Sequence, residues 1–278
     1  MRLTVEHQTI YTYGRPARYA IQALRLTPPD LAAQRVISWR IEVEPTAHLV
    51  PLTDGFGNRV HQLTLDRDHD RLAVTVRGIV ETTDTAGVVG GDLPDTLSPE
   101  VFLRETPLTT ADDALKAIAD EVRPVLEAEG AVAAMHAVLR LTAGRVAYVK
   151  GATDARTTAA EALAHGRGVC QDHAHVFITL VRELGIPARY VSGYLSPNDD
   201  DHAENPGSEA SHAWAEAWLD GLGWVGFDPS NGISPTGSYI RLAHGLDYLD
   251  AAPVRGIRIA GDEEHLAVRV HVTEQAQQ

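Results

Sequence analysis

Over the first 80 residues apolar and polar side chains alternate. Leu3, Val5, Thr9 and Tyr11 interleave with polar neighbours, Ile41 and Val43 with Arg40 and Glu42, and Leu72, Val74 and Val76 repeat the same period of two, the signature of half-buried strands. The run Asp54-Gly55-Phe56-Gly57-Asn58 supplies residues that tolerate positive φ, and Pro28-Pro29-Asp30 forces a second break. Residues 1–82 are therefore expected to form an antiparallel β domain. Residues 83–100 (TDTAGVVGGDLPDTLSPE), rich in Gly, Pro, Thr and Asp and without sustained periodicity, are expected to be a linker, which leaves 101–278 as a second domain.

From Thr110 the period changes. A Thr cap ahead of Asp112 and Asp113, with Leu115, Ile118 and Val122 at helical spacing, predicts a helix that stops before Pro124. Val132, Met135, Val138, Leu139 and Leu141 predict a mostly buried helix over 131–142, ended by Gly144. Thr158 and Glu161 have capping-box spacing for a short helix to His165, closed by Gly166 and Gly168. The next helix starts at Cys170, carries Ala174, Phe177, Ile178, Val181 and Leu184 along one side, and stops at Gly185 and Pro187. Strands follow at 188–195, 211–219 and 224–227, the last two joined by Asp220-Gly221-Leu222-Gly223, while 196–207 reads as a polar acidic loop. The fold class is α+β: a β domain, then helices packed on an antiparallel sheet.

Composition narrows the function classes. At 278 residues, 44% hydrophobic and 22% charged, the chain is of ordinary globular type rather than fibrous or disordered. A net charge of −14, from 24 basic and 38 acidic residues, opposes binding to nucleic acid or to anionic membrane surfaces. No apolar run is long enough for a spanning helix. With one cysteine, Cys170, no intrachain disulfide forms, and the start MRLTVEHQTIYTYGRP has no apolar stretch of secretory type, so a cytoplasmic location is expected.

Candidate chemistry centres on Cys170. A lone cysteine is just as readily a small buried hydrophobe, but three features set this one apart. Gly166-Arg167-Gly168 leads into it and lets backbone approach a substrate closely. A first helical turn favours the thiolate, and its N–H groups suit an oxyanion. Downstream strands then deliver His212, in a row shared with Trp214, Glu216 and Trp218, and Asp228 at the end of the following strand. The tight turn between the strands brings Asp228 back toward His212. In such a set His212 takes the thiol proton, Asp228 orients and supports the imidazolium, and Cys170 attacks a carbonyl carbon. Asp228 reads equally as a turn former before Pro229.

The segments TTAAEALAHGRGVCQDHAH (157–175), LGIPARYVSGYL (184–195), SHAWAEAWL (211–219) and GLGWVGFDPSNG (221–232) resemble the bacterial transglutaminase-like superfamily, papain-like cysteine enzymes with Cys, His and Asp in that chain order. DGFGNRV (54–60) resembles the β-rich N-terminal domain that accompanies this core in one bacterial subgroup. The resemblance implies catalytic Cys170, His212 and Asp228, with the nucleophile at a helix N-terminus against an antiparallel sheet. Two departures stand out. His173 replaces an aromatic residue after Cys-Gln-Asp and leaves a second imidazole as a rival proton acceptor, with His212 preferred; Ser230 replaces a Thr. Leu163, Ala164 and His165 occupy the region where papain-like proteases carry an oxyanion Gln. The Cys170 N–H is one donor, Tyr148 and Trp214 are candidates for the second, Gln171 is a candidate substrate contact, and Asp172 a helix cap.

No metal or cofactor is expected. Asp199, Asp200, Asp201, His202 and Glu204 lack the spacing of a Ca²⁺ loop. A Zn²⁺ site from Cys170, His173, His175 and His212 is disfavoured, because His173 and His175 point roughly 200° apart on a helix and His175 reads as a hydrogen-bonded core residue. The expected activity is acyl transfer through a Cys170 thioester on a peptide or protein substrate, with water as the leading acceptor. Glutamine transamidation is the enzymatic rival, and a retired scaffold that binds protein is the rival of a different class.

Overall fold

The computed structural model describes residues 1–90, 97–196 and 210–275. Its first layer is an antiparallel sheet of β1 (Arg2–Leu24), β2 (Gln34–Glu44), β3 (His48–Thr53), β4 (Arg59–Leu65) and β5 (His69–Thr82), in the order β2-β5-β1-β4-β3. The period of two works as expected: Leu3, Val5, Leu72, Val74 and Val76 are all buried. At the turn after β3 the Asp54 carboxylate accepts the Phe56 and Asn58 N–H groups, both at 3.0 Å, and the Arg25 guanidinium, also at 3.0 Å.

The second layer is the sheet β12-β9-β10-β11-β6, built from β6 (Val88–Gly90), β9 (Ala188–Leu195), β10 (Ser211–Leu219), β11 (Gly223–Phe227) and β12 (Tyr239–Gly245). Helices α1 (Asp113–Glu129), α2 (Ala131–Arg145), α3 (Ala159–His165) and α4 (Cys170–Glu183) gather on one face of it, and a short α5 (Tyr248–Ala251) follows β12. Two-residue strands β7 (Ala147–Tyr148) and β8 (Arg167–Gly168) pair in parallel beside α4. Helix α4 is buried almost throughout. Ala213, Ala215 and Ala217 share its core, and their small size on the facing side of β10 lets the helix sit close to the sheet. On the other face, Tyr194, Ile240 and Leu242 share a core with Leu3, Val5, Leu63 and Val74 of the first sheet. The middle sheet is thus covered on both sides.

Amide side chains join the layers. Gln34 donates to Arg241 O and accepts from Arg241 N, both at 2.9 Å, and Asn58 does the same at His244, at 2.7 and 2.9 Å. Each acts as a one-residue strand along β12, satisfying backbone groups that an edge strand leaves open. The turn beginning at Asp54 therefore reaches the sheet that carries the site.

Several boundaries differ from expectation. β13 (Val254–Ala260) and β14 (Glu264–Glu274) both pair with β1 and belong to the first sheet, not to a domain running 101–278. They return because β1 is long enough to need partners on both edges: β5 and β4 cover one side, β14 and β13 the other. The expected linker contributes β6 to the edge of the second sheet, and its residues 91–96 lie outside the described residues. Helix α1 is capped by Asp112, which accepts from Leu115 N, rather than by a threonine, and it continues through the exposed Pro124 to Glu129. Helix α2 runs past Gly144, since Val146, 1% exposed, anchors its end and bonds back to Thr142. No described helix is long and apolar enough to cross a membrane.

Candidate active site

Cys170 is the first residue of α4 and is half-buried. Its position is set by the residues on either side. Gly166 ends α3 in the left-handed conformation, φ +62°, and turns the chain toward β8. Asp172, 1% exposed, reaches back to accept Val169 N at 2.7 Å and the Thr153 hydroxyl at 2.5 Å, as expected of a helix cap. A Cβ on Gly168 would lie 2.6 Å from the Asp172 Cβ, so only glycine permits this approach. Burial raises the Asp172 carboxyl above its ordinary range, with the Thr153 and Val169 bonds opposing it.

The other two groups come from the sheet. β10 and β11 pair with Ala215 opposite Phe227, so Asp228, one residue beyond, is carried back toward His212. His212 Nε2 donates to Asp228 Oδ2 at 2.5 Å, and the ring lines the same cleft as the Cys170 side chain. With Nε2 taken, Nδ1 is the nitrogen left for the thiol. Burial lowers the His212 pKa, but the charge and hydrogen bond of Asp228, with the Cys170 contact, outweigh it and hold the ring well above its ordinary value.

Asp228 is fully buried and surrounded by donors. Its Oδ1 accepts Ser230 N at 3.0 Å and Ser230 Oγ at 2.7 Å; its Oδ2 accepts Asn231 Nδ2 and Tyr239 OH, both at 2.8 Å, besides His212. Burial alone would raise this carboxyl; the His212 charge and these bonds instead bring it down to about 2. The hydroxyl needed at position 230 is supplied by serine as it would be by threonine. Asp228 is therefore turn former and acceptor at once. Asn231 lay in view inside the DPSNG turn, whereas Tyr239 comes from a separate strand and carried no local signal.

Both helix histidines point elsewhere. His173 Nδ1 meets Val169 O at 2.9 Å and Nε2 meets Val146 O at 2.7 Å, so backbone carbonyls occupy the rival imidazole and His212 is the one aimed at the thiol. His175 Nε2 accepts Tyr248 N at 3.1 Å, and burial with the nearby Arg182 charge lowers it to about 3, a neutral core ring. These rings do not converge on a common point with Cys170. Of the expected acidic loop, residues 197–207 lie outside the described residues, and with them Asp199, Asp200, Asp201, His202 and Glu204.

Cys170 and His212 open onto a cleft of about 430 Å³ that Tyr148, Gln171, Tyr190, Ser211 and Tyr248 also line. Gln171 donates to Asp154 O at 3.4 Å along its wall. Tyr148 stands at the rim, 49% exposed. Trp214 does not line the cleft: it is 2% exposed, stacked behind His212 at 6.4 Å between centroids and set edge-on against Tyr239. It supports the imidazole from the far side. Glu216, further along the same row, is fully buried between Arg189 at 2.6 Å and Arg241 at 2.9 Å, an ion triad that ties β9, β10 and β12 together under the site.

Comparison with known proteins places this arrangement. Residues 3–81 match the bacterial transglutaminase-like N-terminal region, and residues 114–229 the transglutaminase-like superfamily. An uncharacterised protein of Mycobacterium leprae is 33% identical over 279 residues, covering 98% of both chains. An uncharacterised protein of Mycobacterium tuberculosis is 30% identical over 94% of this chain and 89% of its own length. A protein-glutamine gamma-glutamyltransferase of Pseudomonas aeruginosa is 32% identical over 36% of this chain and 13% of its own length. Among solved structures, a candidate cysteine protease from Cytophaga hutchinsonii superposes with TM-score 0.76 at 21% identity, over 100% of this chain and 92% of that one, and so shares the fold. With family matches over both layers and full-length relatives at this identity, the chain belongs to the transglutaminase-like superfamily, in the group that carries the bacterial transglutaminase-like N-terminal region.

Proposed function

We propose that this protein is a cysteine enzyme that cleaves an amide, a peptide or isopeptide bond, through a thioester at Cys170. The observation that carries the reading is a single imidazole that shares an open cleft with the Cys170 thiol and is bonded behind to a buried, multiply stabilised carboxylate. In this geometry His212 accepts the Sγ proton, the thiolate attacks the amide carbon, and the imidazolium returns the proton to the leaving amine. Water then repeats the sequence on the thioester. A cleft open to solvent supports water as the acceptor, since transamidation requires an amine to outcompete it. Transamidation is the second reading, favoured by the similarity of part of the chain to a gamma-glutamyltransferase. A purely scaffolding role needs none of these couplings.

The test is to incubate the protein with glutamine-containing and isopeptide-linked peptides, with and without a primary amine, and follow products by mass spectrometry. Free acid with the amine ignored supports hydrolysis, and an amine adduct supports transamidation. Absence of any acyl adduct on Cys170 across both conditions, in protein whose thiol alkylates rapidly, refutes acyl transfer on these amides.

A further inference from the structure

One tyrosine hydroxyl lines the cleft beside the thiol. Tyr190 is carried by β9, is 2% exposed, and lines the same cavity as Cys170 and His212. Its ring is held from two sides, by His175 at 5.2 Å and edge-on by Tyr248 at 6.1 Å between centroids. Among the described residues its hydroxyl makes no hydrogen bond, and that oxygen is not one of the buried unsatisfied atoms, so it meets the open space of the cleft. Burial above all, and next the charge of Cys170, holds the phenol well above its ordinary value, so it keeps its proton while the thiolate reacts.

Other groups near the thiol do not match this. The Cys170 N–H, at the first helical position, has no helical carbonyl to bond and supplies one donor. Tyr148 is half exposed with its ring against His173, and Trp214 lies outside the cleft. We propose that the Tyr190 hydroxyl is the second donor to the acyl oxygen, completing an oxyanion site with the Cys170 N–H. This rests on the acyl-transfer reading above. When Sγ bonds to the carbonyl carbon, the C=O π pair moves onto oxygen, and the resulting oxyanion is received by the Cys170 N–H and the Tyr190 O–H. When the tetrahedral adduct collapses, the pair returns, the C–N bond breaks, and the amine leaves with the proton held by His212. Tyr190 donates a hydrogen bond throughout and transfers no proton.

The test compares two reactions of the same sulfur in Tyr190→Phe, which keeps the ring and removes only the oxygen. Alkylation by iodoacetamide passes through no oxyanion, whereas acylation by p-nitrophenyl acetate does. Acylation is expected to fall about 10²- to 10³-fold, the usual effect of losing one oxyanion donor, with the alkylation rate and its pH profile unchanged. The unchanged alkylation also shows that the variant is folded with its thiol activated. Unchanged acylation in the variant, or an equal fall in both reactions, overturns the assignment. If the wild-type thiol alkylates rapidly yet is never acylated, the acyl-transfer reading itself has failed.

Discussion

Replacing Asp228 with asparagine removes the carboxylate that backs His212. Asparagine has nearly the same shape and can keep an oxygen for the Ser230 contacts, but its NH2 then replaces the Oδ2 acceptor shared by His212, Asn231 and Tyr239, so the buried charge and that acceptor are lost together. The His212 Nε2 to Asp228 Oδ2 distance is 2.5 Å, which puts the two charge centres close together. Unit charges about 4 Å apart at an effective dielectric near 20 interact by about 4 kcal/mol, or about three pKa units at 1.36 kcal/mol per unit. In the native protein that attraction overcomes the burial of the ring; without it burial dominates, and the imidazole titrates below its ordinary value instead of well above it. Two measurements follow: NMR titration of labelled histidine in Asp228→Asn, and the pH dependence of iodoacetamide alkylation. Deprived of a charged partner, the thiol should react about 10² to 10³ times more slowly near neutral pH. A variant whose His212 remains charged above neutral pH, or whose alkylation profile superimposes on the wild type, refutes the account.

Three further outcomes follow from the same coordinates. Asp228 is depressed from 3.8 to about 2, so its contribution of about 2 kcal/mol is complete above 3.8 and is lost as pH falls through the folded value. His212 is raised, so its contribution is complete below 6.5 and is lost as pH rises through its folded value. Denaturant titrations should show the acid-side loss between pH 4 and 2 and a flatter profile in Asp228→Asn; equal slopes in both proteins contradict it. Glu216→Gln leaves two buried guanidinium groups facing each other without a counter-charge, with an expected loss of about 3–5 kcal/mol in chemical denaturation. A loss below about 1 kcal/mol would mean that the triad is not held by charge. Gly168→Ala drives a methyl group into Asp172, and should cost about 1–3 kcal/mol and slow Cys170 alkylation by displacing the helix start; a stable variant with native thiol reactivity counts against Gly168 as the spacer.

The residues that make up the site were legible because each lies beside a strong local signal. Cys170 follows two glycines and opens an amphipathic segment, and a three-residue turn links the strands of His212 and Asp228, so antiparallel pairing alone brings those two together. The Thr158 and Glu161 capping box was visible for the same reason, since its partners are three residues apart. Trp214 misled because alternation assigns a face but not the depth of the cleft on that face: it shares a side of β10 with His212 yet lies behind it. Pro124 and Gly144 were read as stops, but packing of the helix faces outweighs the cost of an interior proline, about 3 kcal/mol, and of a glycine, about 1 kcal/mol.

From the chain alone came the period of each segment, the helix start at the cysteine, the pairing that brings histidine to aspartate, and the superfamily. These depend on neighbours a few residues apart, whose geometry is set by the period of the backbone and by turn chemistry. Only the folded molecule decided that the last strands close the first sheet, that Gln34 and Asn58 fasten it to the second, that Tyr239 supports Asp228, and that Tyr190 lines the same cleft as Cys170. Each of those contacts joins segments far apart in sequence, and which of many similar side chains meet is settled by how whole layers pack, a quantity no local pattern carries.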